Sequence, residues 1–114
     1  MPKSIARTYS RYTEDALAVL ASLIRSARVQ QRISAQQLAE RAGISRSTLQ
    51  RIEKADPKCE IGIVFELASL LGIALFDASP SSGELRRYRT LQEEKLTLLP
   101  ERVRQPAREV DDDF

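Results

Sequence analysis

The sequence predicts an all-α fold of four to five short helices, and three observations carry that expectation. Aromatic residues are only 5% of 114 residues, with no Trp, inside a 42% apolar total; β-sandwiches draw more on aromatic and β-branched side chains. Apolar positions recur at intervals of three and four along most of the chain. Serines stand where helices should begin (Ser34, Ser45) and glycines where they should end (Gly43, Gly72). The length suits one ordinary domain.

Residues 1–12 hold Lys3, Arg7 and Arg11 among Ser, Thr and two tyrosines without a regular period, which predicts a flexible basic arm. Thr13 then reads as an N-cap, with Glu14 and Asp15 near the positive end of a helix macrodipole. Leu17, Leu20, Ile24 and Ala27 predict an amphipathic helix over residues 14–31. Ser34 and Gln37 form a capping box for Ala35–Ala42, ended by Gly43, which takes positive φ without steric cost. Ser45 caps a helix over residues 46–54 with Leu49 and Ile52 inward, and Asp56-Pro57 closes that segment. Val64, Leu67, Ala68 and Leu71 share a face of a fourth helix, Ile61–Leu71, ended by Gly72. After it, Ile73, Ala74, Leu75 and Phe76 make an apolar run too brief for a helix. Residues 79–83, Ser-Pro-Ser-Ser-Gly, read as a linker. A charged helix follows over residues 84–98, with Leu85, Tyr88, Leu91, Leu96 and Leu99 near one stripe and Pro100 stopping it. Residues 100–114 end Val-Asp-Asp-Asp-Phe and read as a disordered acidic tail.

Composition excludes much chemistry. With no His and one Cys, Cys59, there is no His-based triad, His–metal site, disulfide or cysteine zinc cluster to expect. Four scattered glycines make no phosphate-cradling loop. No enzyme, cofactor or small-molecule ligand is expected. Charge is uneven: residues 1–59 carry eleven basic and five acidic side chains, residues 60–114 seven and eleven. A basic front half suits a polyanion partner. The N-terminal segment is not expected to be a secretory signal, because acidic residues precede the apolar run and arginines follow it. That run, residues 16–24, is far too short to span a bilayer, so a cytoplasmic protein without a membrane partner is expected.

The stretch from Ala35 to Lys54, AQQLAERAGISRSTLQRIEK, carries the functional signal. Two short helices flank a glycine turn. Ala39 is small where they cross, while Ile44, Leu49 and Ile52 anchor the second helix. Arg46, Ser47, Gln50 and Arg51 remain on its outer face, a shape suited to a major groove about 12 Å wide. The stretch resembles the helix-turn-helix of the phage-repressor superfamily (Cro/C1, XRE-type), over roughly residues 17–71.

That resemblance implies a sequence-specific repressor of transcription. It matches Arg46, Ser47 and Arg51 to positions that reach base edges, the arginines suiting guanine O6 and N7. Gln50 would read adenine or touch a phosphate. Ser34, Gln36 and Ser45 fall where helix N-termini meet the DNA backbone, and Lys54 and Lys58 add charge nearby. It also sets Arg28 opposite Glu53 as an ion pair that orients the reading helix.

Proteins of this superfamily act as dimers on palindromes. Ile73, Leu75 and Phe76 resemble the short strand by which HipB-like antitoxins pair across a two-fold axis. The C-terminal segment is similar to the same antitoxins, which bind HipA-like Ser/Thr kinase toxins and repress their own operons. Two alternatives share much of this reading: a stand-alone repressor whose C-terminal helix serves dimerisation, and a protein-interaction module of the same fold. The expected organisation is an arm at 1–12, a DNA-binding domain at 13–78 with a dimerisation strand at 73–76, a linker and helix at 79–99, and a tail at 100–114.

Overall fold

A computed structural model describes residues 8–103 of the chain. Within them the fold is all-α, with five helices: α1 Arg11–Gln30, α2 Ala35–Ala42, α3 Arg46–Glu53, α4 Ile61–Leu71 and α5 Glu84–Thr97. Lys3 and Arg7 of the expected arm, and the acidic end of the expected tail, lie outside the described residues.

Helix α1 begins three residues earlier than the sequence suggested. Ser10, not Thr13, is the N-cap, its hydroxyl oxygen accepting from the Thr13 backbone N–H at 3.2 Å. Ser10 and Thr13 are both cap-forming residues three apart, and the outer one wins because it leaves Thr13 free to be its hydrogen-bond donor. Arg11 and Tyr12 therefore belong to the helix. At its far end the chain turns through Arg32 at φ 59°, and Ile33 donates back to the Arg28 carbonyl at 3.0 Å.

Both parts of the capping box form at α2: Ser34 Oγ accepts from the Gln37 N–H at 3.0 Å, and Gln37 Oε1 accepts from the Ser34 N–H at 2.9 Å. Gly43 follows in the left-handed region, φ 70°, so that the Ile44 N–H can return to the Ala39 carbonyl. That turn aims α3 away from α2. Ser45 then caps α3 through the Thr48 N–H at 3.0 Å.

The core sits where α1–α4 meet. α2 packs on α3 and α4, and α1 packs on α3 and α4. Ile24, Leu38, Leu49 and Leu67 are fully buried, one from each helix, with Ile33, Ala39, Ile52 and Leu71 around them. Gln31 at the end of α1 donates from Nε2 to the Leu71 carbonyl at 2.8 Å, fastening the last turn of α4. No polar or charged residue is fully buried among those described. Apolar contact holds this domain together, with polar groups confined to caps and rims.

Beyond α4 the expected strand is absent. Phe76 and Asp77 both take left-handed backbone, φ 55° and 58°, and the Ala78 N–H donates to the Leu75 carbonyl at 2.9 Å. Two consecutive positive φ values make a type I′ turn, so the segment doubles back on itself through a single Leu75–Ala78 bridge. Residues 73–76, all among those described, form no strand, and Phe76 is turned out of extended backbone. Ile73 packs against the core, Ala78 is buried, and Phe76 stands 68% exposed at the tip. Helix α5 follows, and none of its residues is buried.

Candidate nucleic-acid interface

Residues 46, 47, 50, 51 and 54 fall on one side of α3, because the helical repeat that turns Leu49 and Ile52 inward turns these outward. Arg46, Ser47, Gln50, Arg51 and Lys54 are all exposed while Leu49 and Ile52 are buried. Ser34, Gln36 and Ser45 are exposed too, but their polar groups are partly committed. Ser34 is held in the capping box, and Gln36 Nε2 donates to Glu40 Oε2 at 3.0 Å. The Ser45 hydroxyl accepts from the Thr48 N–H, donates to Thr48 Oγ1 at 2.9 Å and lies 3.2 Å from Ser47 Oγ. Ser34 and Ser45 thus shape the helix starts, while Gln36 keeps a second N–H and its amide oxygen beyond the bond to Glu40.

What fixes the direction of α3 is Arg28. Its Nε and Nη2 donate to the two carboxylate oxygens of Glu53 at 2.8 and 3.0 Å, and its Nη1 donates to the Ile33 carbonyl at 3.1 Å. The two side chains are 14% and 10% exposed, so this fork-to-fork pair is shielded and its geometry is rigid. Glu53 holds the Arg28 guanidinium even more firmly protonated than usual, chiefly through the hydrogen bond and also through its charge, against the opposing effect of burial.

The two arginines of the outer face are not equivalent. Arg46 enters none of the ion pairs formed among the described residues, which join Arg28 to Glu53, Arg51 to Asp56 and Arg89 to Glu93. Arg51 Nε donates to Asp56 Oδ2 at 2.9 Å. Asp56 was read in the sequence only as part of the stop after the third helix; its role as a partner of Arg51 was missed. The pairing depends on Ala55 adopting φ 63°, which nothing in an Ala announces. An acidic residue five positions after an outward arginine, just before proline, is the one available signal.

A groove of about 240 Å³ runs beside α3, lined by Ile44, Ser45, Thr48, Arg51, Lys58 and Cys59 among others. Lys58 sits on its rim with Arg51. Cys59 is half-buried, and burial together with the Asp56 charge raises its thiol pKa, so the thiol is a poor nucleophile.

Two short capped helices around a left-handed glycine, the second clamped outward with two arginines on its free face, make a recognisable unit, and residues 24–77 match the helix-turn-helix family. Residues 24–77 thus have the fold of a helix-turn-helix, and it is this family that they are similar to. No curated protein and no solved structure matches it. The matched stretch begins inside α1 at the buried Ile24 and ends within the turn at Phe76-Asp77. A helix-turn-helix of this Cro/C1 kind supports a DNA-binding regulator of transcription. No helix among the described residues is long and apolar enough to cross a membrane.

Proposed function

We propose that the protein is a sequence-specific repressor that binds duplex DNA as a dimer, with α3 in the major groove. The observation that supports this best is the outward face of a clamped α3: Arg46 and Arg51 exposed, and a shielded Arg28–Glu53 pair behind them. Arg46, Ser47 and Arg51 read base edges, Gln50 reads adenine or meets a phosphate, and Lys54 and Lys58 contact the backbone. Ser34, Gln36 and Ser45 present helix N-termini toward phosphates through their backbone N–H groups. Lys3 and Arg7, ahead of α1 in the sequence, are proposed as further phosphate contacts.

A single α3 reads only a few base pairs, so a palindrome and a two-fold pair of subunits follow. The exposed Phe76, the apolar residues of α5 (Leu85, Tyr88, Leu91, Leu96) and Leu99 just beyond it offer surfaces for that pairing. The domain plan expected from sequence is kept in this proposal with two changes: Arg11 and Tyr12 pass from the arm to α1, and the turn at residues 75–78 takes the place of the strand.

The finer reading is an antitoxin similar to the HipB group, whose partner is a HipA-like kinase and whose target is its own operon. The charged α5 and the acidic residue 100–114 tail support it by their resemblance to that group. A gel shift on the protein's upstream DNA across salt concentrations tests the DNA reading. Affinity should fall with a log–log slope of about −0.9 per phosphate contact, and a flat salt response would favour a protein-interaction module. Co-purification from the native host tests the antitoxin reading: a kinase-like protein in fixed stoichiometry supports it, and none favours a stand-alone repressor.

A further inference from the structure

We infer that Asp56 is a positioning residue for base reading: it grips Arg51 by Nε so that both Nη groups face outward to one guanine. The inference rests on α3 being the base-reading helix and adds a residue outside that helix to its specificity.

Asp56 is itself held in place by three hydrogen bonds made where α3 ends. Ala55 takes the left-handed conformation, its N–H returning to the Ile52 carbonyl at 3.0 Å, and the Asp56 N–H returns to the carbonyl of Arg51 at 3.0 Å. This is the closing pattern of a Schellman motif. Asp56 is therefore fastened by its backbone to the residue that its side chain also holds. Its second oxygen, Oδ1, accepts from the Lys58 N–H at 2.9 Å, across Pro57. With one oxygen spent on the loop and the other on Arg51 Nε, the carboxylate has a fixed orientation and passes it to the guanidinium.

The chemistry left over matches guanine. A guanidinium has five N–H donors in a planar fork, and Asp56 takes the one on Nε. The Nη groups make no other ion pair among the described residues, and Arg51 remains half exposed. Guanine presents N7 and O6 side by side in the major groove, the spacing that two Nη donors fit. A free arginine must freeze several rotors on binding, whereas one already held has less to lose. A carboxylate beside a polyanion otherwise only repels it, so the two effects of Asp56 have opposite signs and can be told apart.

The test uses the full chain and a pool of randomised duplexes, from which wild type selects its site, followed by single-base-pair variants of that site and a scrambled duplex. Asp56→Asn keeps an oxygen for the Lys58 N–H but removes the charge that holds Arg51. It should bind the selected site about 3- to 10-fold more weakly, with the loss confined to one G·C pair per half-site. Binding to the scrambled duplex should be unchanged or tighter, and Arg51→Lys should lose preference at the same pair. In the double variant the two losses should not add. Asp56→Ser, which also retains an acceptor for Lys58, should repeat the effect, with thermal midpoints reported for each. If Asp56→Asn tightens selected and scrambled duplexes alike, or tightens the selected site alone, Asp56 is a repulsive charge or a competitor for Arg51 and the inference fails. If wild type enriches no common site, the DNA reading itself fails, a result distinct from either.

Discussion

Ala55 occupies a backbone conformation that costs an L-residue about 1–2 kcal/mol relative to glycine. Glycine gives part of that back through its freer unfolded chain. Ala55→Gly should therefore raise stability by about 0.5–1 kcal/mol, read as a higher urea midpoint at unchanged slope. The Arg28–Glu53 pair behaves in the opposite way. Glu53→Ala leaves a shielded guanidinium with only the Ile33 carbonyl and should cost about 3 kcal/mol. Replacing both partners, Arg28→Met with Glu53→Leu, should recover much of it, because no charge is left unpaired; equal losses for single and double variants would contradict this. Asp56 gives a pH signature. The Lys58 N–H first, then Arg51, lowers its pKa below the ordinary carboxylate value. A lowered pKa stabilises the fold above pH about 4, and that contribution is lost as pH falls through the lowered value. Asp56→Asn should accordingly flatten the acid limb of a stability–pH curve below about pH 4.

Helices α2, α3 and α4 were legible because their signals are local. A serine hydroxyl needs only an N–H three residues on, and Gly43 and Gly72 fall where the left-handed turns occur at φ 70° and 76°. The reading failed where ordinary residues occupy unusual backbone. Phe76-Asp77 makes a type I′ turn that sequence usually signals with Asn-Gly, so an apolar run looked like a strand. Arg51's orientation was hidden for the same reason, since it follows from Ala55. The outward set Arg46, Ser47, Gln50 and Arg51 was readable from helical period alone, given Leu49 and Ile52 as anchors. For α5 the period was right but the packing unreadable: its apolar stripe exists and none of it is buried. A helix of 14 residues is marginal in water by itself. Its amides should exchange far faster than those of α1–α4 in dilute solution, and slow as concentration rises if α5 pairs two copies. Concentration-independent exchange would assign the pairing elsewhere.

At the scale of the molecule, the charge division of the sequence falls close to a structural one. The basic front half holds α1–α3 and the outward face of α3, and the acidic remainder holds α4, α5 and the tail sequence. Removing residues 101–114 should leave affinity for duplex DNA nearly unchanged or slightly raised, as a negative segment is lost. A large fall in a salt-controlled titration would place that segment at the DNA.

Arg28 ties the first helix, the Ile33 carbonyl and the last residue of α3 into one knot. α3 is consequently braced against tilting on its own, so under the proposed DNA reading it would not lean to follow a mismatched duplex. In the proposed dimer, any tolerance for a longer or shorter spacer between half-sites would reside in the junction between subunits, and an operator lengthened by one base pair would measure the stiffness of that junction directly.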